Sequence, residues 1–230
     1  MTPAAPPVAP SKARSSRSDG AQTRNHILRV AGPLYAARGY EGTTSREICA
    51  AAGINQAAVN YHFGSKDGLY EAVLVEAHGQ LVAIGDLEAI AHSGADPEAR
   101  LAALIGLFIT RSNGPALPWA LRVLGNELMA APSGHVDALL QQAVLPKVRV
   151  MRGIVASVLG VAATEPVAQR ALALVVMPCI MLNLAPRDRL RQVLPALASD
   201  PQALVDDMTC YALAGLASIA RRHGAPGPQP

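Results

Sequence analysis

Apolar side chains recur along this chain at three- and four-residue intervals, and no stretch reads convincingly as a strand. Ile27, Ala31, Leu34 and Tyr35 form one such stripe on a helix that opens near Gly20. Gly39 stops it as a left-handed cap. Pro33 falls inside, where the missing amide predicts a kink. Thr44-Ser45-Arg46-Glu47 has the spacing of a capping box, with Ile48 turned inward and Gly53 closing the helix after about two turns. Asn55 can cap the next helix, with Ile54 and Val59 flanking it as a hydrophobic staple and Phe63 one turn beyond Val59. Ser65 opens a fourth helix that the pattern carries to about Ala91, some 40 Å at about 1.5 Å per residue, weakened by Gly79 and Gly85. Further helices are predicted over 97–110, 118–129, 134–159, 166–184 and 201–222, several with proline in the first turn.

Composition sharpens this all-α picture. Half of the 230 residues are hydrophobic but only 3% are aromatic, so the core must be mainly Ala, Leu, Val and Ile. Residues 1–66 hold eight basic and three acidic side chains, whereas the remainder holds twelve basic and fourteen acidic. A basic head of net +5 on a near-neutral body suits a partner that is a polyanion. Lys12, Arg14 and Arg17 fit a solvated tail as well as they fit that partner. The chain therefore divides into a disordered tail (1–19), a basic three-helix domain (20–66), a helical domain (67–223) and a Gly/Pro-rich tail (224–230). Cys49, Cys179 and Cys210 have no C-x-x-C spacing and read as buried, reduced thiols, which points to the cytoplasm. The opening lacks the apolar stretch of a signal peptide. The longest apolar run, 171–182, is too short for a bilayer and carries Pro178, so no membrane partner is expected.

Two short helices joined by a glycine turn form a helix-turn-helix, in which the first clamps the second and leaves its outer face free for a major groove about 12 Å wide. Ile48, Ile54, Val59 and Phe63 are the clamp, leaving Gln56, Ala57, Asn60 and Tyr61 outside. Amides such as Gln56 and Asn60 can pair with adenine, and small Ala57 permits close approach. Tyr61, His62 and Lys66 are placed to hold phosphates. Packing against the first helix is the other reading for Tyr61, core closure for His62, and solvation for Lys66.

Residues 23–70 resemble the DNA-binding domain of the TetR family of repressors. The resemblance rests on Arg38-Gly39-Tyr40-Glu41-Gly42-Thr43-Thr44, Ile48, Ala52-Gly53-Ile54 and His62-Phe63-Gly64-Ser65-Lys66-Asp67. It implies a homodimer on a palindromic operator, released when a small molecule enters the second domain. It also implies DNA contacts from Thr44, Arg46, Asn55, Gln56, Tyr61, His62 and Lys66, with neighbouring Ser45, Ala57 and Asn60 on the same face. Asn60 is a departure, since the family more often has Tyr there. Glu127-Leu128, Pro132 and Val144-Leu145-Pro146 resemble the ligand domain of the CecR-type subgroup.

Candidate ligand-binding residues are Phe108, Trp119, Arg122, Asn126, Glu127, Met129, Met177 and Met181, each of which could equally be ordinary core, solvated surface or an internal ion pair. Scarce aromatics suggest an aliphatic cavity for a lipophilic effector. Dimer contacts are expected from Ala171, Leu174, Val175 and Pro178 on one long helix and Tyr211, Ala214, Ser218 and Ile219 on another, where core packing is again the alternative. No G-x-S-x-G, P-loop, dinucleotide fingerprint or H-E-x-x-H occurs, so neither an enzyme nor a metal or cofactor is expected. The remaining alternative is a helix-turn-helix DNA binder with no effector.

Overall fold

The computed structural model describes residues 12–111, 117–129, 134–184, 190 and 192–224. Helices α1 (Lys12–Arg38), α2 (Ser45–Ala52), α3 (Gln56–Phe63) and α4 (Lys66–Leu81) are followed by α5 (Ile84–Ala91), α6 (Pro97–Arg111) and α7 (Leu117–Met129). Then come α8 (His135–Leu139), a π-helical turn (Leu140–Val144), α9 (Leu145–Leu159), α10 (Pro166–Leu184), α11 (Ala196–Ser199) and α12 (Pro201–Arg222). No strand occurs among the described residues.

The first helix begins at Lys12 rather than near Gly20. No proline stands between Pro10 and Pro33, and Thr23 adds a bond from its hydroxyl to the Asp19 carbonyl at 2.9 Å. Of the two expected tails, residues 1–11 and 225–230 lie outside the described residues. The α1 helix runs through Pro33, which lies on its exposed side. Beside it Gly32 is buried, and a Cβ there would come within 2.5 Å of the Trp119 ring. Glycine at this point lets α7 lie close on α1.

The predicted long fourth helix is two helices. Val82 breaks it by turning extended (φ −146°, ψ 117°) and burying its side chain to 4% exposure. Tertiary burial outweighs helical continuity where Gly79 and Gly85 already weaken it. Over 134–159 the helical path is instead continuous but widens into the π turn. Pro146, at the start of α9, has no amide for the carbonyl four residues back, which explains a local change of register there.

Two apolar cores result. Ile27, Tyr35, Ile48, Val59, Leu69 and Leu74 centre the first, and α7 and α8 join it through Val123, Leu124 and Leu139. It therefore takes side chains from beyond residue 66. The second gathers Leu87, Leu101, Leu104, Ile154, Leu159 and Ala171, with α12 entering through Val205, Ala212, Leu216 and Ala220. By length and composition α12 could span a membrane, which the apolar-run reading missed, but this face of it lies in the second core. Of the cysteines, Cys49 and Cys179 are buried and Cys210 is exposed on α12, contrary to the expectation for all three.

Candidate nucleic-acid interface

The helix-turn-helix is assembled from caps. Thr44 adopts an extended conformation (φ −100°, ψ 149°) and its hydroxyl accepts from the Glu47 amide at 3.3 Å. Glu47 in turn accepts from the Thr44 amide at 2.9 Å, completing the box. That amide first, then the Thr44 hydroxyl, hold the Glu47 carboxyl below its usual pKa, and Arg38 at 2.7 Å adds to the effect. Gly53 makes the turn at φ 64°, a conformation that costs a side-chain-bearing residue about 1 kcal/mol or more. Its neighbour Ile54 donates back to the Cys49 carbonyl at 3.0 Å. Asn55 then opens α3, its side-chain oxygen accepting from the Ala58 amide at 2.9 Å.

This local order presents one face of α3 outward. Val59 is fully buried beneath it, with Ile54 and Phe63 packed alongside. Gln56, Ala57, Asn60 and Tyr61 are exposed, Tyr61 to 84%. Gln56 donates to the Asn60 side chain at 3.3 Å, so the two amides are aligned along one edge. Within the helix-turn-helix, Gln56 also accepts from the Cys49 thiol at 3.5 Å. His62 is half-buried and its ring stands edge-on to Tyr61. Thr44 and Arg46 are exposed and Ser45 half-buried at the start of α2. The Lys66 ammonium sits 4.0 Å from the centre of the Tyr40 ring, a contact the sequence did not suggest. Tyr40 donates to Asp67, and that bond first, then burial, pushes its hydroxyl up to about 12.

Two further glycines hold the frame at close quarters. A Cβ at Gly68 would meet the Phe63 carbonyl oxygen at 2.1 Å, and one at Gly42 would meet the Arg38 carbonyl oxygen at 2.4 Å. Arg24 on α1 lies 5.2 Å above the Phe63 ring, and the His26 ring reaches the Ala52 carbonyl at 3.0 Å. Both ties fasten α1 to the ends of α2 and α3.

Over residues 27–73 the sequence matches the bacterial regulatory proteins of the tetR family. The match covers the helix-turn-helix and its flanking helices, about a fifth of the chain. A curated relative, the HTH-type transcriptional repressor KstR2 of Rhodococcus jostii (strain RHA1), is 35% identical over 105 residues. The match takes in 46% of this chain and 47% of that repressor, so it spans about half the length of the relative. The HTH-type transcriptional regulator AcrR of Shigella flexneri is 34% identical over 76 residues, 33% of this chain and 34% of AcrR. A solved structure from Pseudomonas aeruginosa PAO1 shares the fold with a TM-score of 0.69 at 19% identity, covering 93% of this chain and 99% of that one. FadR from Bacillus subtilis, solved in complex with stearoyl-CoA, gives 0.61 at 16% identity over 81% and 96% of the two chains.

The candidate ligand residues are not brought together. Trp119 and Asn126 face α1, Asn126 donating to the Ala36 carbonyl at 3.3 Å. Glu127 is buried and accepts from the Tyr70 hydroxyl at 2.8 Å. Burial first and this bond second raise the Tyr70 pKa. Phe108 belongs to the second core, while Arg122 and Met129 face solvent, Met129 to 89%. Helical periodicity cannot tell which core a stripe enters, and here α7 joins the first. Met177 and Met181 are exposed on α10, and Met181 lines a groove of about 590 Å³ between α10 and α12 with Leu174, Pro178, Met208 and Tyr211. The ligand and dimer candidates thus meet on one surface. On it Leu174, Pro178, Tyr211, Ala214 and Ser218 are exposed and Ile219 half-buried, whereas Ala171 and Val175 are buried in the protomer's own core. Of the segments that resemble the CecR-type subgroup, Leu145 and Pro146 directly follow the π turn, and Pro132 lies outside the described residues.

Proposed function

We propose that the protein is a cytoplasmic, homodimeric transcriptional repressor that binds a palindromic operator through α2 and α3 and leaves it when a small lipophilic molecule binds. The outward face of α3 carries this reading: Gln56, Ala57, Asn60 and Tyr61 are exposed while Val59 anchors the helix from behind. Gln56 and Asn60 read base edges, and Thr44, Ser45, Arg46, Asn55, Tyr61, His62 and Lys66 fix the register on phosphates. Thr44 and Asn55 serve as caps as well, their helix starts turning backbone amides toward the anion. The likeness to KstR2, a transcriptional repressor, supports repression, and stearoyl-CoA bound to FadR supports a lipophilic effector.

The exposed faces of α10 and α12 supply the dimer contact. Leu174, Met177, Met181 and Tyr211 are 53–80% exposed in the protomer, a run of apolar side chains that a second copy would cover in a four-helix arrangement. On this reading Met177 and Met181 belong to the interface rather than to the effector site. Two recognition helices then read half-sites roughly 34–36 Å apart, or a multiple of that spacing. The deciding test is a salt-titrated binding assay on the protein's own upstream promoter with random DNA as competitor. Tight, selective binding that weakens steeply with salt is expected. Equal binding to both DNAs would replace the repressor with a DNA binder that has no dedicated operator there.

A further inference from the structure

The α9 helix places a cation at the seam between the two cores. Lys147 is 5% exposed, and no carboxylate lies within ion-pair distance of it among the described residues. Among the described residues its ammonium is held by His78, 2.7 Å from the ring Nδ1 and 3.0 Å from the carbonyl oxygen. A buried charge without an opposite partner is costly, and a protein retains one at a loss of stability. Burial draws the Lys147 pKa down to about 8, and burial followed by the Lys147 charge draws His78 down to about 4. At pH 7 the lysine thus stays mainly charged and the imidazole neutral, so the seam holds a buried cation with no anion beside it among the described residues.

The position of the pair gives such an anion a consequence. His78 lies in the last turn of α4, the helix whose other end begins at Lys66 beside the recognition helix. Leu81 packs on the first core and Val82 belongs to the second, while Val144 packs on the first and Met151 belongs to the second. The Lys147–His78 bond thus ties the two cores at the point where both segments pass from one to the other. Next to it lies the π turn, a stretch whose register is already displaced.

We propose that Lys147 receives the carboxylate of an amphiphilic acid whose apolar tail lies in the aliphatic second core, and that this pairing takes the ammonium from His78 and unties α9 from α4. The proposal rests on the effector reading above and names the chemical class of the effector. Fluorescence titration of the full-length protein with cis-parinaric acid and with its methyl ester tests it, alongside operator binding with each probe. The wild-type protein is expected to bind the acid at least tenfold more tightly than the ester at pH 7. In Lys147→Met the two probes should bind alike, with a thermal midpoint no lower than wild type, because an apolar side chain of similar length relieves the buried charge. Equal binding of acid and ester by wild type, binding of neither, or an acid preference retained in Lys147→Met would each overturn it. If both probes release the operator equally, the effector reading stands and the Lys147 site falls. Lys147-dependent acid binding with no change in operator occupancy leaves the site standing and removes the effector reading.

Discussion

Single residues set the tolerance of this helix-turn-helix, and glycine shows it most sharply. Gly68 lies in the first turn of α4, where a Cβ would be 2.1 Å from a backbone oxygen of Phe63. Backbone cannot swing aside as a side-chain end can, so Gly68→Ala must push α4 away from the end of α3. The expected cost is about 2–3 kcal/mol, read as a lowered urea midpoint. Gly79, in the same helix, meets nothing within 4 Å. Gly79→Ala should be neutral or stabilising by up to ~1 kcal/mol, since alanine is the better helix former. Equal effects at the two sites would show that propensity, not the Phe63 contact, governs glycine in α4. Sequence reading named Gly79, with Gly85, as a weak point in this helix and passed over Gly68. It could not separate Gly68 from Gly79, because the Phe63 carbonyl is a three-dimensional neighbour and propensity is blind to it.

Elements were legible wherever their signal was local. The Thr44–Glu47 box, the Gly53 turn and the Asn55 and Ser65 caps involve residues within four positions of each other, and all appear in the structure. The interruption at Val82 was not legible, because it depends on what the helix packs against, whereas the π turn at 140–144 follows from Pro146, a local signal the pattern reading did not use. Equally hidden were contacts between distant residues: Trp119 on Gly32, Tyr70 on Glu127 and Lys147 on His78. These are what draw α7 into the first core and scatter the candidate ligand residues. The cap at Asn55 gives a prediction at this scale. Asn55→Ala removes the acceptor for the Ala58 amide and should cost about 1 kcal/mol of stability. Asn55→Asp keeps an acceptor and should keep the stability, yet its negative charge at the start of α3 should weaken operator binding more than Asn55→Ala does. If the aspartate variant binds DNA like wild type, the start of α3 does not face phosphate.

At the scale of the whole molecule, the dimer joins the two proposals, because a palindrome is read only if both recognition helices are held together. Leu174 is 63% exposed on α10 and Tyr211 is 80% exposed on α12, so neither is needed to fold the protomer. A carboxylate at position 174 would be tolerated in an isolated chain. Across a twofold axis it would be duplicated and buried, with Asp207 already on the groove's rim. Leu174→Glu should therefore keep helical content and thermal midpoint near wild type while shifting sedimentation equilibrium to the monomer. Operator affinity should then fall by roughly 10²–10⁴, the advantage lost when two linked contacts become one. The dependence of log K on log salt should also drop to about half its slope, since one protomer neutralises half the phosphates. A variant that stays dimeric would move the interface off this face. One that becomes monomeric yet keeps the full salt slope would show that a single protomer contacts all the phosphates, and that the palindrome is not what the protein reads.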